Sequence, residues 1–160
     1  MFQVGDQVFC PMRGSGVVEA REERVMLNEK REYFIIQMQS SDMTFMVPTD
    51  RVILSGFRLI SDEATADAVL STFASKEVTM DQTTPLKQRV KQNQAKMSSG
   101  LLMDCGEVVR DLTCIKKNKS LNASESSMLM EARRLLLEEI SMIKCISKQQ
   151  ASELIDKLLA

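Results

Sequence analysis

The stretch REYFIIQMQSSDMTFMVP, residues 31–48, decides the architecture of the first half of this 160-residue chain. Tyr33, Ile35 and Gln37 alternate with Phe34, Ile36 and Met38, the period of two that marks a half-buried strand. Ser40-Ser41-Asp42 breaks the pattern and Met43–Val47 resumes it, with Met43, Phe45 and Val47 assigned to one face and Thr44 and Met46 to the other; Pro48 ends it. Upstream the same grammar repeats. Val4-Gly5-Asp6 leads into Gln7–Cys10, and Pro11 with Gly14-Ser15-Gly16 forms a turn before Val17–Ala20. A polar Asn28-Glu29-Lys30 tip separates Arg21–Leu27 from Arg31–Met38. Short strands at this spacing predict a small, strongly bent antiparallel sheet or partly open barrel over residues 1–60.

From residue 61 the period becomes helical. Asp62 is placed to cap a helix ending near Ser75, with Ala66, Val69, Leu70 and Phe73 inward. Thr84 followed by Pro85 reads as an N-cap with proline at the first helical position, opening a polar helix to about Met97. Ser98-Ser99-Gly100 interrupts, and Leu101, Cys105, Val108, Val109, Leu112 and Ile115 then form an apolar stripe. Asn122 through Glu125 has capping-box spacing ahead of Met128, Leu129, Ala132, Leu135, Leu136, Ile140 and Ile143. Ser147 and Gln150 make a second box, heading a helix with Ala151, Leu154, Ile155, Leu158 and Leu159 inward. The expected fold class is α+β: a β domain over 1–60, then a compact all-α domain of four to five helices over 61–160.

Composition excludes several chemistries. The chain has no His and no Trp, and its seven aromatics all lie before residue 74. Imidazole catalysis, Ser-His-Asp sites and His-containing zinc sets are therefore absent, and the second half cannot stack bases on aromatic rings. Adjacent carboxylates such as Glu22/Glu23 and Glu138/Glu139 read as solvated faces or helix polarity, not a catalytic dyad. The four cysteines form no C-x-x-C pair and read as buried, reduced thiols. With no apolar run of membrane-spanning length, a soluble cytoplasmic protein without metal, cofactor, small-molecule substrate or enzymatic activity is expected.

Charge separates along the same boundary. Residues 1–63 carry seven basic and ten acidic side chains, whereas residues 86–119 carry eight basic against three acidic. Lys87, Arg89 and Lys91 lie on the polar helix, and Lys116, Lys117 and Lys119 close the next one. Such a window suits weak, salt-sensitive phosphate contact, although lysines in a last helical turn also complement the helix dipole without any ligand.

Several motifs resemble, in order, the CarD/CdnL family of bacterial transcription regulators. They are the opening MFQVGDQV, Pro11–Ala20, the Tyr33–Ile36 strand, Met43 through Pro48, Lys87-Gln-Arg89, Glu107–Leu112, and Leu121 through Leu129. The resemblance implies a Tudor-like N-terminal domain docked on the RNA polymerase β subunit and a helical domain that contacts promoter DNA at the upstream edge of the transcription bubble. Such a protein works on the nucleoid through polymerase. Sheet docking by strand addition would use Met43, Thr44, Phe45, Met46 and Val47, with Met46 facing outward; a Met46 that packs a second face is the alternative. Arg24 falls where the family presents a basic residue to polymerase; a solvated hairpin arginine is the alternative.

If the helical domain meets promoter DNA as the resemblance implies, the expected contacts are Leu86 at the wedge position and the cations of the basic window, Lys87, Arg89, Lys91, Lys116, Lys117 and Lys119. Where related members carry a Trp that wedges into the minor groove, this chain has Leu86. Leu is among the side chains that enter a kinked base step, but it offers less area and no N–H donor. The alternative is a core Leu86 packed at helical spacing with Val90 and Met97. Ser126-Ser127 stands where relatives place basic residues, so one backbone contact is expected to be missing, although helix amides could still meet a phosphate there. The expected activity is modulation of the promoter open complex, weaker than in a Trp-bearing relative or retuned toward repression. A protein-interaction module that tethers a second protein to polymerase without touching DNA is the competing reading.

Overall fold

The computed structural model describes residues 1–75, 78 and 83–160, and divides into two units, Met1–Ile60 and Ser61–Ala160. The first is a five-stranded antiparallel sheet of β1 (Gln7–Cys10), β2 (Gly14–Met26), β3 (Glu29–Met38), β4 (Thr44–Pro48) and β5 (Arg58–Leu59), ordered β4-β3-β2-β1-β5. Four strands follow one another as hairpins, and β5 returns to pair with β1, so the sheet curls without closing. A register shift between Val18 and Ala20 bends β2 across the middle. Its concave face buries Val8, Cys10, Val18, Phe34, Ile36, Met38 and Val47 together with Phe2, Val52 and Phe57. Gly16 is required where β2 meets β3: a Cβ there would stand 2.6 Å from the Gln37 carbonyl oxygen.

Two turns differ from expectation. Gly14-Ser15-Gly16 belongs to β2 itself, and the turn before it is Pro11–Arg13. The β2–β3 tip is Leu27-Asn28, both at positive φ (50° and 63°), the backbone requirement of a type I′ hairpin. Strand periodicity continues through Glu29 and Lys30, which pair with Met26 and Val25, and this moves the tip two residues earlier than polarity alone suggests.

The second unit contains α1 (Glu63–Ser75), α2 (Leu86–Ser99), α3 (Leu102–Asn118), α4 (Ala123–Lys144) and α5 (Lys148–Leu159). Asp62 caps α1 by accepting from the Thr65 N–H at 2.8 Å and the Thr65 hydroxyl at 2.6 Å. These bonds, the hydroxyl one first, hold its carboxyl below the usual carboxylate range. Ala66, Val69, Leu70 and Phe73 face inward. Gly106 lets α3 approach α1: a Cβ would lie 2.5 Å from Val69 Cγ1. Ser147 and Gln150 complete a reciprocal capping box on α5.

Departures in this unit have clear causes. Pro85 has ψ 134°, so α2 begins at Leu86 without a Thr84 cap. Leu101 is an exposed N-cap residue, and Leu102 takes the inward position. Glu138 and Glu139 are buried, not solvated: Arg134 donates to Glu138 at 2.8 Å, and Glu139 accepts from the Ser61 N–H at 2.8 Å, fastening the start of the unit to α4. Cys10 and Cys105 are buried, but Cys114 is half-buried and Cys145 is an exposed left-handed C-cap. All four are free thiols. Among the described residues no helix is long and apolar enough to cross a membrane, and no cluster of metal-ligating side chains occurs.

Candidate functional site

The first candidate surface is the β4 edge. The Met38 N–H donates to the Met43 carbonyl at one end of the β3–β4 ladder, and the Thr49 N–H donates to the Glu32 carbonyl at the other. Antiparallel alternation between those bonds makes Phe45 and Val47 the residues whose main chains pair with β3, opposite Ile36 and Phe34. Thr44, Met46 and Pro48 therefore turn their main-chain groups away from the sheet, and Pro48 has no N–H to offer. The outward edge consists of the N–H and C=O of Thr44 and Met46, because the Pro48 C=O accepts from the Arg51 N–H at 2.9 Å in the turn that follows.

Side chains divide in the same way. Phe45 and Val47 point to the core, with the Arg13 guanidinium 4.8 Å from the Phe45 ring centre. Met43 departs from the expected inward position: it is exposed and precedes the strand. Thr44 and Met46 lie on the opposite face. Arg24 pairs in register with Arg31 and Met46 with Ile35, so Arg24 shares that outer face with Thr44 and Met46. It stands about 13 Å along the strand direction from the Met46 row. Its guanidinium donates to Glu22 at 2.8 and 3.2 Å in an exposed pair, an interaction worth about 0–1 kcal/mol and easily exchanged for a partner's carboxylate. Tyr33 and Ile35 complete the face, with the Tyr33 hydroxyl donating to Met26 Sδ at 3.6 Å.

The second candidate surface is one end of the α2–α3 hairpin. Ser99 Oγ donates to Asp104 at 2.6 Å and Lys96 bridges Glu107 at 2.9 Å, so the two helices run antiparallel from the Gly100 C-cap. Carried forward at 1.5 Å per residue, this brings Leu86 and Lys87 level with Lys116 and Lys117 at the far end. Leu86 is 45% exposed and stands apart from the core that contains Met97. Lys87 and Lys91 are also exposed, and among the described residues neither has an ion-pair partner. The same is true of Lys116 and Lys119.

Two expected contacts point elsewhere. Arg89 is buried, and its fork holds Glu125 at 2.6 and 2.8 Å. It is a structural cation, not a surface one, because its position on α2 faces the start of α4. Glu125 in turn does not reach back to its own N-cap: Asn122 caps the Glu125 N–H at 2.8 Å, but the carboxylate belongs to Arg89. Lys117 donates to the Leu159 carbonyl and satisfies an orphan acceptor at the end of α5. Periodicity could not reveal either role, since both partners are remote in sequence.

Comparison with known proteins agrees with both units. Residues 2–59 match the family model described as CarD-like/TRCF RID domain, and residues 68–156 match that described as CarD, C-terminal domain. A Bacillus subtilis (strain 168) protein named "Putative transcription factor YdeB" is 41% identical over 150 residues, covering 94% of this chain and 97% of its own length. With both halves matched in order and one relative aligned nearly end to end, the chain belongs to the CarD family of transcription factors.

Proposed function

We propose that this protein regulates transcription initiation by tethering a helical DNA-contacting unit to RNA polymerase. The β unit adds its β4 edge to a strand of the polymerase β subunit, with main-chain bonds at Thr44 and Met46 and side-chain contacts from Arg24, Thr44 and Met46. The helical unit presents Leu86, Lys87, Lys91, Lys116 and Lys119 to promoter DNA at the fork. Tethering raises the local concentration of this weak surface, so four exposed lysines suffice where an independent binder would need more. The effect on opening equals the difference in affinity between opened and closed DNA.

The observation that carries the reading is Leu86, an apolar side chain left exposed at the first position of α2, beside Lys87 and Lys91 with no intramolecular partner among the described residues. An apolar tip flanked by free cations suits a base step flanked by phosphates. Open-complex lifetime on a promoter, with and without the protein, tests it. Leu86→Ala is expected to weaken the effect, and Lys87→Ala with Lys91→Ala to weaken it and lower the log–log salt slope by about 2. Full retention of the effect by both variants would refute the DNA contact. Retention with no salt dependence would favour a protein-binding helical unit instead.

A further inference from the structure

α2 is held in place by charge. Its inward stripe at i, i+4 and i+8 is Arg89, Asn93 and Met97, of which only the last is apolar. Asn93 is fully buried, with neither amide atom hydrogen-bonded among the described residues. The helix contains four cations and no acid, and they divide by direction. Lys96 is paired to Glu107 on α3 and Arg89 to Glu125 on α4, while Lys87 and Lys91 stay outside. Arg89 has a third attachment, since its Nη1 donates to the Thr84 carbonyl at 3.3 Å, just before the helix begins. One guanidinium therefore joins the approach to α2, its first turn and the first turn of α4. Asn122 fixes the other end of this link by capping the Glu125 N–H.

We infer that Arg89 and Glu125 are positioning residues: their buried ion pair fixes the first turn of α2 against the first turn of α4, and so sets where Leu86 and Lys87 stand. An apolar stripe would tolerate sliding or rotation of α2, whereas a bidentate pair accepts one geometry. The inference deepens the proposed DNA contact and rests on it for the use of that position, though not for the position itself.

The test uses the full chain carrying Arg89→Met together with Glu125→Met, which removes both charges and leaves neither buried alone. Amide hydrogen exchange is expected to quicken about tenfold or more across Leu86–Asn93, with α1, α3 and α5 protected as before. Unchanged protection in α2 would overturn the inference. Should the paired variant fail to fold, Arg89→Lys is measured in the same way, since it keeps the charge but loses the fork and the Thr84 bond.

The second measurement is open-complex lifetime. The paired variant is expected to lose as much of the effect as Leu86→Ala with Lys87→Ala, and the combination of all four substitutions to lose no more than either pair. A loosened α2 with the full effect retained would overturn the inference. If Leu86→Ala with Lys87→Ala changes nothing, the DNA reading fails on its own, and the exchange result, which involves no DNA, alone judges the positioning.

Discussion

Replacing Met46 by proline isolates the main-chain part of the proposed docking on polymerase. The Met46 N–H points out of the sheet, so proline there breaks no bond to β3; the ladder runs through Phe45 and Val47. Folding should therefore survive, with the melting temperature within a few degrees of the wild-type value. A partner strand seated on β4 would lose one of the two N–H donors the edge provides and keep a buried acceptor unpaired, at about 1–3 kcal/mol. That corresponds to about 5- to 150-fold in affinity. Met46→Ala is the control, because it removes the same side chain and leaves the donor. The assay is calorimetric titration of polymerase with each variant. Proline is expected to bind at least about 5-fold more weakly than alanine; equal affinities for the two would refute strand addition at this edge.

Three further outcomes follow from the packing. Gly106→Ala drives a methyl group into the stiff, fully buried Val69 and should cost about 2 kcal/mol after the helical gain of alanine is subtracted, about 8–16 °C in melting temperature. Adding Val69→Ala should remove the clash, and a melting scan of the two variants checks both statements. Leu27→Asn should stabilise the β unit by about 1 kcal/mol, since Leu27 holds a left-handed conformation while 98% exposed; a lower denaturant midpoint would contradict this. Asp62 has its carboxyl depressed by the Thr65 bonds, so its contribution is complete above the unfolded carboxylate range and disappears as pH falls through the lower folded value. Asp62→Asn keeps a cap but should flatten the stability–pH curve below about pH 4, as measured by unfolding at a series of acidic pH values.

The elements were legible wherever one face was apolar. Tyr33–Met38, the α1 stripe and the Ser147 box carry their structural assignment in local pattern, because each residue's environment there is set by neighbours two to four positions away. The sequence was silent where burial is polar. Arg89, Glu125 and Glu139 sit inside because of partners outside that local window, and charge ordinarily signals solvent. The basic window illustrates the difficulty: composition counts Arg89 and Lys96 with Lys87 and Lys91, but two of these cations hold α2 to its neighbours and two are exposed. Likewise alternation separates Thr44 and Met46 from Phe45 and Val47, yet only the ladder's end bonds reveal which main-chain groups are free.

Pro48 has a consequence for the life of the protein in a crowded cell. A sheet with an open edge is a template on which identical chains can stack. Here the β4 edge offers donors at two residues and then a proline, while the opposite edge, β5, is two residues long. A second copy would find too few rungs to extend a fibre. The edge is thus too short to recruit its own kind, while still leaving the main-chain groups of two residues for a partner strand of the kind proposed above.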